Sequence, residues 1–118
     1  MGGHGALWNA LRHPDVFGAA GATSGGVDIR PFPMNWEMKK QLGEMAANKK
    51  VWDNHTVINQ LDKIKNGDVA LIIDCGVDEF CLNVYKELLQ RLLALKIDHD
   101  FITRPGGHTL AYWRNSID

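Results

Sequence analysis

Apolar and polar positions along this chain follow two periods, and the period switches several times. Leu7, Ala10 and Leu11 form one helical stripe. His13-Pro14 predicts the end of that helix, because the residue before a proline is pushed out of the helical region. Val16–Ala22 is a run of small and apolar residues that reads as a short buried strand, closed by Ser24-Gly25-Gly26. Residues 27–53 hold no clear period. Pro31 and Pro33 break structure there, and a short helix is expected through Trp36–Leu42. Val57, Ile58, Leu61 and Ile64 lie on one face of an amphipathic helix that stops near Asn66-Gly67. Val69–Asp74 is the strongest strand, apolar at successive positions as a sheet covered on both faces requires. Leu82, Tyr85, Leu89, Leu92 and Leu93 mark a helix over Phe80–Leu95. Asp98–Thr103 reads as a third strand, residues 104–108 as a loop, and Thr109–Ile117 as a closing helix.

Strands alternating with helices predict an α/β fold of three layers, a parallel sheet flanked by helices. In such sheets the working groups collect beyond the C-terminal ends of the strands. Three segments meet that description: Thr23–Gly26, Cys75–Glu79 and Arg104–His108. With 118 residues, the chain is one domain or part of one, and residues 27–53 form an irregular insertion and a candidate lid.

Composition narrows the classes of function. The chain is 45% hydrophobic and 23% charged with a formal net charge of -1, as expected of a soluble domain. Its lysines are interspersed with acids rather than massed, so no nucleic-acid footprint is expected. No apolar run reaches the roughly 20 residues that cross a bilayer, and no membrane association is expected. Cys75 and Cys81 lack C-x-x-C spacing and read as reduced structural thiols, which fits a cytoplasmic setting. No metal site and no cofactor are expected.

Two residues carry the candidate chemistry. His108 follows Gly106-Gly107 past the third strand, where a glycine turn lets an imidazole point back over the sheet edge and exchange protons near neutral pH. Asp78 lies just beyond the second strand, where a carboxylate can accept the Nδ1 proton of that histidine and fix its tautomer. Asp78 also suits a helix N-cap, and Asp74 competes for the role of acid. Gly2, Gly3 and Gly5 open the first helix, and His4 reads as a packing residue. Phe32, Trp36 and Trp52 either wall an apolar pocket or pack in the interior. Tyr112 and Trp113 read as core anchors. A Cys75 nucleophile is disfavoured by its place on a strand end, and a dinucleotide motif lacks the strand it needs before the glycines.

Taken together, Met1-Gly2-Gly3-His4-Gly5-Ala6-Leu7, Asp74-Cys75-Gly76-Val77-Asp78-Glu79-Phe80, Pro105-Gly106-Gly107-His108-Thr109 and Tyr112-Trp113-Arg114 resemble the Putative esterase family of the α/β-hydrolase fold. Its members include tributyrin and other short-chain carboxylesterases, feruloyl esterases, S-formylglutathione hydrolases and mycolyltransferases. The first run resembles a nucleophile elbow, G-x-S-M-G-G-H-G-A-L, beginning immediately after its serine. The resemblance covers the C-terminal half of a family member. It implies Asp78 as triad acid, His108 as base, Met1 as an oxyanion-hole residue, and a small-molecule ester as substrate, with Trp36 the candidate substrate-binding residue.

Two functions follow as expectations. One is the C-terminal portion of a serine carboxylesterase whose nucleophilic serine is not in this chain, so that the chain alone is inactive. The other is a non-catalytic hydrolase-fold module. In both, the strand at Val16–Ala22 lacks its partner, and self-association through that edge is expected.

Overall fold

The computed structural model describes residues 2–34, 37–76 and 82–117. Three strands form one parallel sheet in the order β1 (Ala19–Thr23), β2 (Ala70–Gly76), β3 (Asp100–Arg104). The first helix, α1 (Gly2–Arg12), precedes β1. Between β1 and β2 lie α2 (Met38–Leu42), α3 (Lys49–Asn54) and a 3-10 helix (Val57–Lys63). The helix α4 (Leu82–Ala94) joins β2 to β3, and α5 (Leu110–Ile117) follows β3.

The core sits on one face of the sheet. Side chains alternate along a strand, so Leu71, Ile73 and Cys75 share a face of β2, and all three are buried. Against them pack Leu7, Ala10 and Leu11 of α1, Val57, Ile58 and Leu61 of the 3-10 helix, and Val84, Tyr85, Leu88 and Leu92 of α4. The inward residues of α4 are therefore one position away from part of the expected set. Leu93 faces out, and Leu82 and Leu89 are half-buried. The segment expected as an amphipathic helix buries the expected residues but winds as the tighter 3-10 form.

The other face is sparsely covered. Ile72 is 51% exposed and Ile102, two strand positions along and one strand over, is 37% exposed. The expectation of a sheet covered on both faces along β2 is therefore corrected: only its C-terminal end, at Asp74 and Gly76, is capped on this side, by Tyr112 of α5. The strand expected over Val16–Ala22 is shorter. The carbonyl of His13 accepts the amides of both Val16 and Phe17, which holds these residues in the turn that ends α1. They project outward, Val16 at 67% exposure. The first strand starts at Ala19.

Residues 27–53 hold a small apolar cluster of their own, with Ile29, Met38 and Trp52 at its centre. Buried Asp28 accepts from Nε and Nη2 of Arg30, and Arg30 reaches Asp53 at 3.5 Å. The helix α3 lies in the stretch expected to be irregular.

Two contacts fix α1. At its start, Gly3 and Gly25 touch backbone to backbone, and a Cβ on Gly25 would lie 2.6 Å from the carbonyl carbon of Gly3. Along its flank, Nε2 of His4 donates to the carbonyl of His55 at 2.7 Å, and Trp8 stacks on the His55 ring at 5.3 Å. The Arg12 guanidinium covers the Trp8 ring at 4.6 Å, and the indole N–H donates to the carbonyl of Asn54. His4 thus packs, and its proton sits on Nε2 because the partner is a carbonyl.

These contacts yield two expectations for stability. Ala at Gly5, the fourth residue of α1 with open space around it, raises stability by up to about 1 kcal/mol through helix propensity. Ala at Gly25 lowers it by about 1–3 kcal/mol, because backbone must move. Urea midpoints at unchanged slope read both. Burial lowers the pKa of His4 below its ordinary 6.5, with the His55 carbonyl opposing. The unfolded chain then takes up this proton first, so stability is full above about pH 6.5 and falls as pH drops below it. His4→Gln should flatten that acid limb in urea titrations between neutral and mildly acidic pH. An unchanged limb would show that other groups set it.

Candidate active site

Three strand ends and the start of α1 converge at one edge of the sheet. Ser24 follows β1 with φ at 54°, and its amide donates to the carbonyl of Asp74 at 2.9 Å. The close approach of Gly25 to Gly3 brings the first turn of α1 to the same edge. A helix N-terminus there presents unpaired backbone N–H groups and a partial positive charge.

Beside it, the end of β2 holds a buried carboxylate. Asp74 is 5% exposed. Its Oδ1 accepts the hydroxyl of Tyr112, and its Oδ2 lies 3.3 Å from Nη2 of Arg104. This side chain was the competitor for the role of triad acid. Its two oxygens serve a tyrosine and an arginine, and no histidine among the described residues bonds it. Asp78, the favoured acid, lies outside the described residues, four positions further along the chain.

Past β3, the loop bearing His108 is shaped by glycine. Gly106 has φ at +125°, a conformation that side chains resist, and the Tyr112 ring lies where its Cβ would be. The Gly106 carbonyl in turn occupies the place a Cβ on Gly76 would take. The loop therefore lies directly on the end of β2. His108 is exposed and meets the Trp113 ring edge-on, with centroids 4.8 Å apart at 87°. Thr109 starts α5 by accepting the Tyr112 amide on Oγ1 at 3.3 Å, in the manner of an N-cap.

The other sequence-derived candidates separate clearly. Met1 and Trp36 lie outside the described residues. Trp52 is fully buried and donates to the carbonyl of Gly43 at 2.9 Å, so it packs the small second cluster. Phe32 is half-buried against the main core. Cys75 is buried on the core face of β2 with Leu71 and Ile73. Among the described residues there is no group of side chains that could hold a metal ion, and no helix is long and apolar enough to cross a membrane. Arg104 and the hydroxyl of Tyr112 were not singled out by the sequence. The available signal was Asp74 itself, an acid at the end of an apolar strand that needs partners once buried.

Similarity to known proteins agrees with this layout. The S-formylglutathione hydrolase of Staphylococcus aureus superposes with a TM-score of 0.79 at 25% identity, over 99% of this chain and 48% of that one. A ferulic acid esterase gives 0.75 at 28% identity, over 99% and 44%. A fluorophosphonate-binding serine hydrolase of Staphylococcus aureus gives 0.80 at 22% identity, over 98% and 48%, and shows the fold. The chain spans about half the length of these structures. No curated protein matches it. The sheet with its flanking helices is an α/β-hydrolase fold. The model of the family described as Putative esterase matches residues 1–118, and the chain belongs to that family.

Proposed function

We propose that residues 1–118 are the acid- and base-bearing C-terminal portion of a serine carboxylesterase acting on short-chain acyl esters. The observation that carries this reading is the seating of the His108 loop on the end of β2, the strand that leads to Asp78. The nucleophilic serine comes from polypeptide outside these residues, directly before Met1 in the active site. His108 takes the serine proton as the serine attacks the ester carbonyl, and returns it to the leaving alcohol. Asp78 orients His108 and stabilises the imidazolium. The Met1 amide and the N-terminal turn of α1 stabilise the oxyanion. Trp36 contributes to the wall around the acyl group. Water then releases the acyl-enzyme. A cytoplasmic setting belongs to this reading; Cys75 and Cys81 lack the C-x-x-C spacing of a redox or metal pair.

A second reading is a non-catalytic module that covers itself by self-association. The sheet supports it. The edge of β1 away from β2 has no strand partner among the described residues, and Phe17, Ile72 and Ile102 are exposed beside or across it.

Two measurements test these readings. Residues 1–118 alone should hydrolyse p-nitrophenyl acetate and butyrate no faster than their His108→Ala variant. Turnover that this substitution abolishes would place a nucleophile within the chain. Joined behind a segment ending in G-x-S, the chain should become an esterase in which His108→Ala or Asp78→Asn lowers kcat by about 10⁴-fold. In sedimentation at micromolar concentration, residues 1–118 should run as dimers or larger species. A monodisperse monomer would rule out self-covering.

A further inference from the structure

We infer that Asp74 is the positioning residue for His108: its buried carboxylate ties both ends of the histidine loop to the strand that leads to Asp78. The inference rests on the reading of His108 as the base and deepens it. Arg104 is the last residue of β3, where the loop begins, and Tyr112 lies in the first turn of α5, where the loop has ended. One oxygen of Asp74 serves each of them. The main-chain carbonyl of the same residue accepts the Ser24 amide, so Asp74 also joins the end of β1 to the end of β2.

The loop needs such a tie. Pro105 is followed by two glycines, and the glycines alone leave the backbone many conformations. His108 and Thr109 are exposed. Among the described residues, contacts at three points hold the loop. Gly106 rests on Gly76, Tyr112 covers Gly106, and the Tyr112 hydroxyl and Arg104 converge on Asp74. Trp113, the next residue of α5, then presents its ring to His108. Proton transfer tolerates little misplacement, since an error of about 1 Å costs on the order of 10²-fold in rate. A carboxylate that registers β2, β3 and α5 against one another therefore sets where the imidazole stands relative to the residues after β2.

A merely structural Asp74 would change the stability of the chain and leave His108 in place within the folded population. The two cases separate by NMR of the 118-residue chain with isotope-labelled histidine, the His108 ring signals being those lost in His108→Gln. The expected result is that Asp74→Asn and Tyr112→Phe each remove the ring-current displacement that Trp113 imposes on the His108 ring, while the ring signals of His4 and His55, which lie along α1, stay in place. His108 signals that do not move in the folded variants would overturn the inference. If Asp74→Asn fails to fold, Tyr112→Phe and Arg104→Gln, which each remove one tie and keep the carboxylate, decide in the same way. The base reading fails separately. It falls if His108→Gln leaves full esterase rate in a polypeptide that includes the serine, whatever the NMR shows.

Discussion

Taking a carboxylate out of water costs several kcal/mol unless partners replace the lost hydration, and the carboxylate of Asp74 takes those partners from two different elements. Tyr112 arrives from α5, Arg104 from β3, and the Ser24 amide binds the carbonyl of the same residue from β1. Leaving any of the side-chain partners out would strand a buried polar group, a cost of about 1–3 kcal/mol or more for a charged one. The ends of the strands are consequently not free to splay. The glycine contact between Gly76 and Gly106 follows from this, because the loop can reach Asp74 through Tyr112 only by lying flat on the end of β2. Adding a methyl group at either glycine would lift the loop and lengthen both ties.

The same sheet is unequally supported along its length. The face of Leu71, Ile73 and Cys75 is closed by three helical segments, with Tyr85, Leu88 and Leu92 filling the centre. The opposite face has Tyr112 at the C-terminal end of β2 and exposed Ile72 further back. Its β1 positions, Ala19, Gly21 and Thr23, are small, so the backbone itself is accessible there. Small side chains on a sheet face permit close approach by another element and stabilise little on their own. The structures this chain resembles are about twice its length. On that opposite face Ile72 and Ile102 stay exposed, and among the described residues the edge of β1 away from β2 has no strand partner.

How much of this was legible in the sequence follows from which signals are local. The helix over Leu7, Ala10 and Leu11 and the strand through Ile73 are periodic, and their periods identified them. The limits of β1 were not legible, because Val16 and Phe17 look like strand residues and are held instead by the His13 carbonyl in a turn. The exposure of Ile72 was hidden for a related reason. A run such as Val69–Ile73 predicts burial on both faces, and only the tertiary structure shows that the cover of one face stops short of Ile72. In the site, the glycines before His108 correctly marked a sharp turn, confirmed by the positive φ of Gly106. The pairing of Asp74 with residues thirty or more positions away was invisible to any local pattern.

This division explains why candidate site residues could be proposed before their supports were known. Chemistry requires particular residue types at strand ends, so His108 stands out by type and context. Support requires only that some donor reach Asp74, and many residue types at many positions could do that. The two donors used come from either side of His108, which makes the support specific in effect even though it is unspecific in kind. A donor on one side only would hold the strand end and leave the loop to pivot about it. Donors on both sides remove the pivot. The start of α1 is held by a different device, the backbone contact of Gly3 with Gly25. The start of α1 and the loop that carries His108 are thus fixed independently, and both attachments lie within residues 1–118. The relative placement of the α1 start and the His108 loop is therefore set by contacts among these residues themselves.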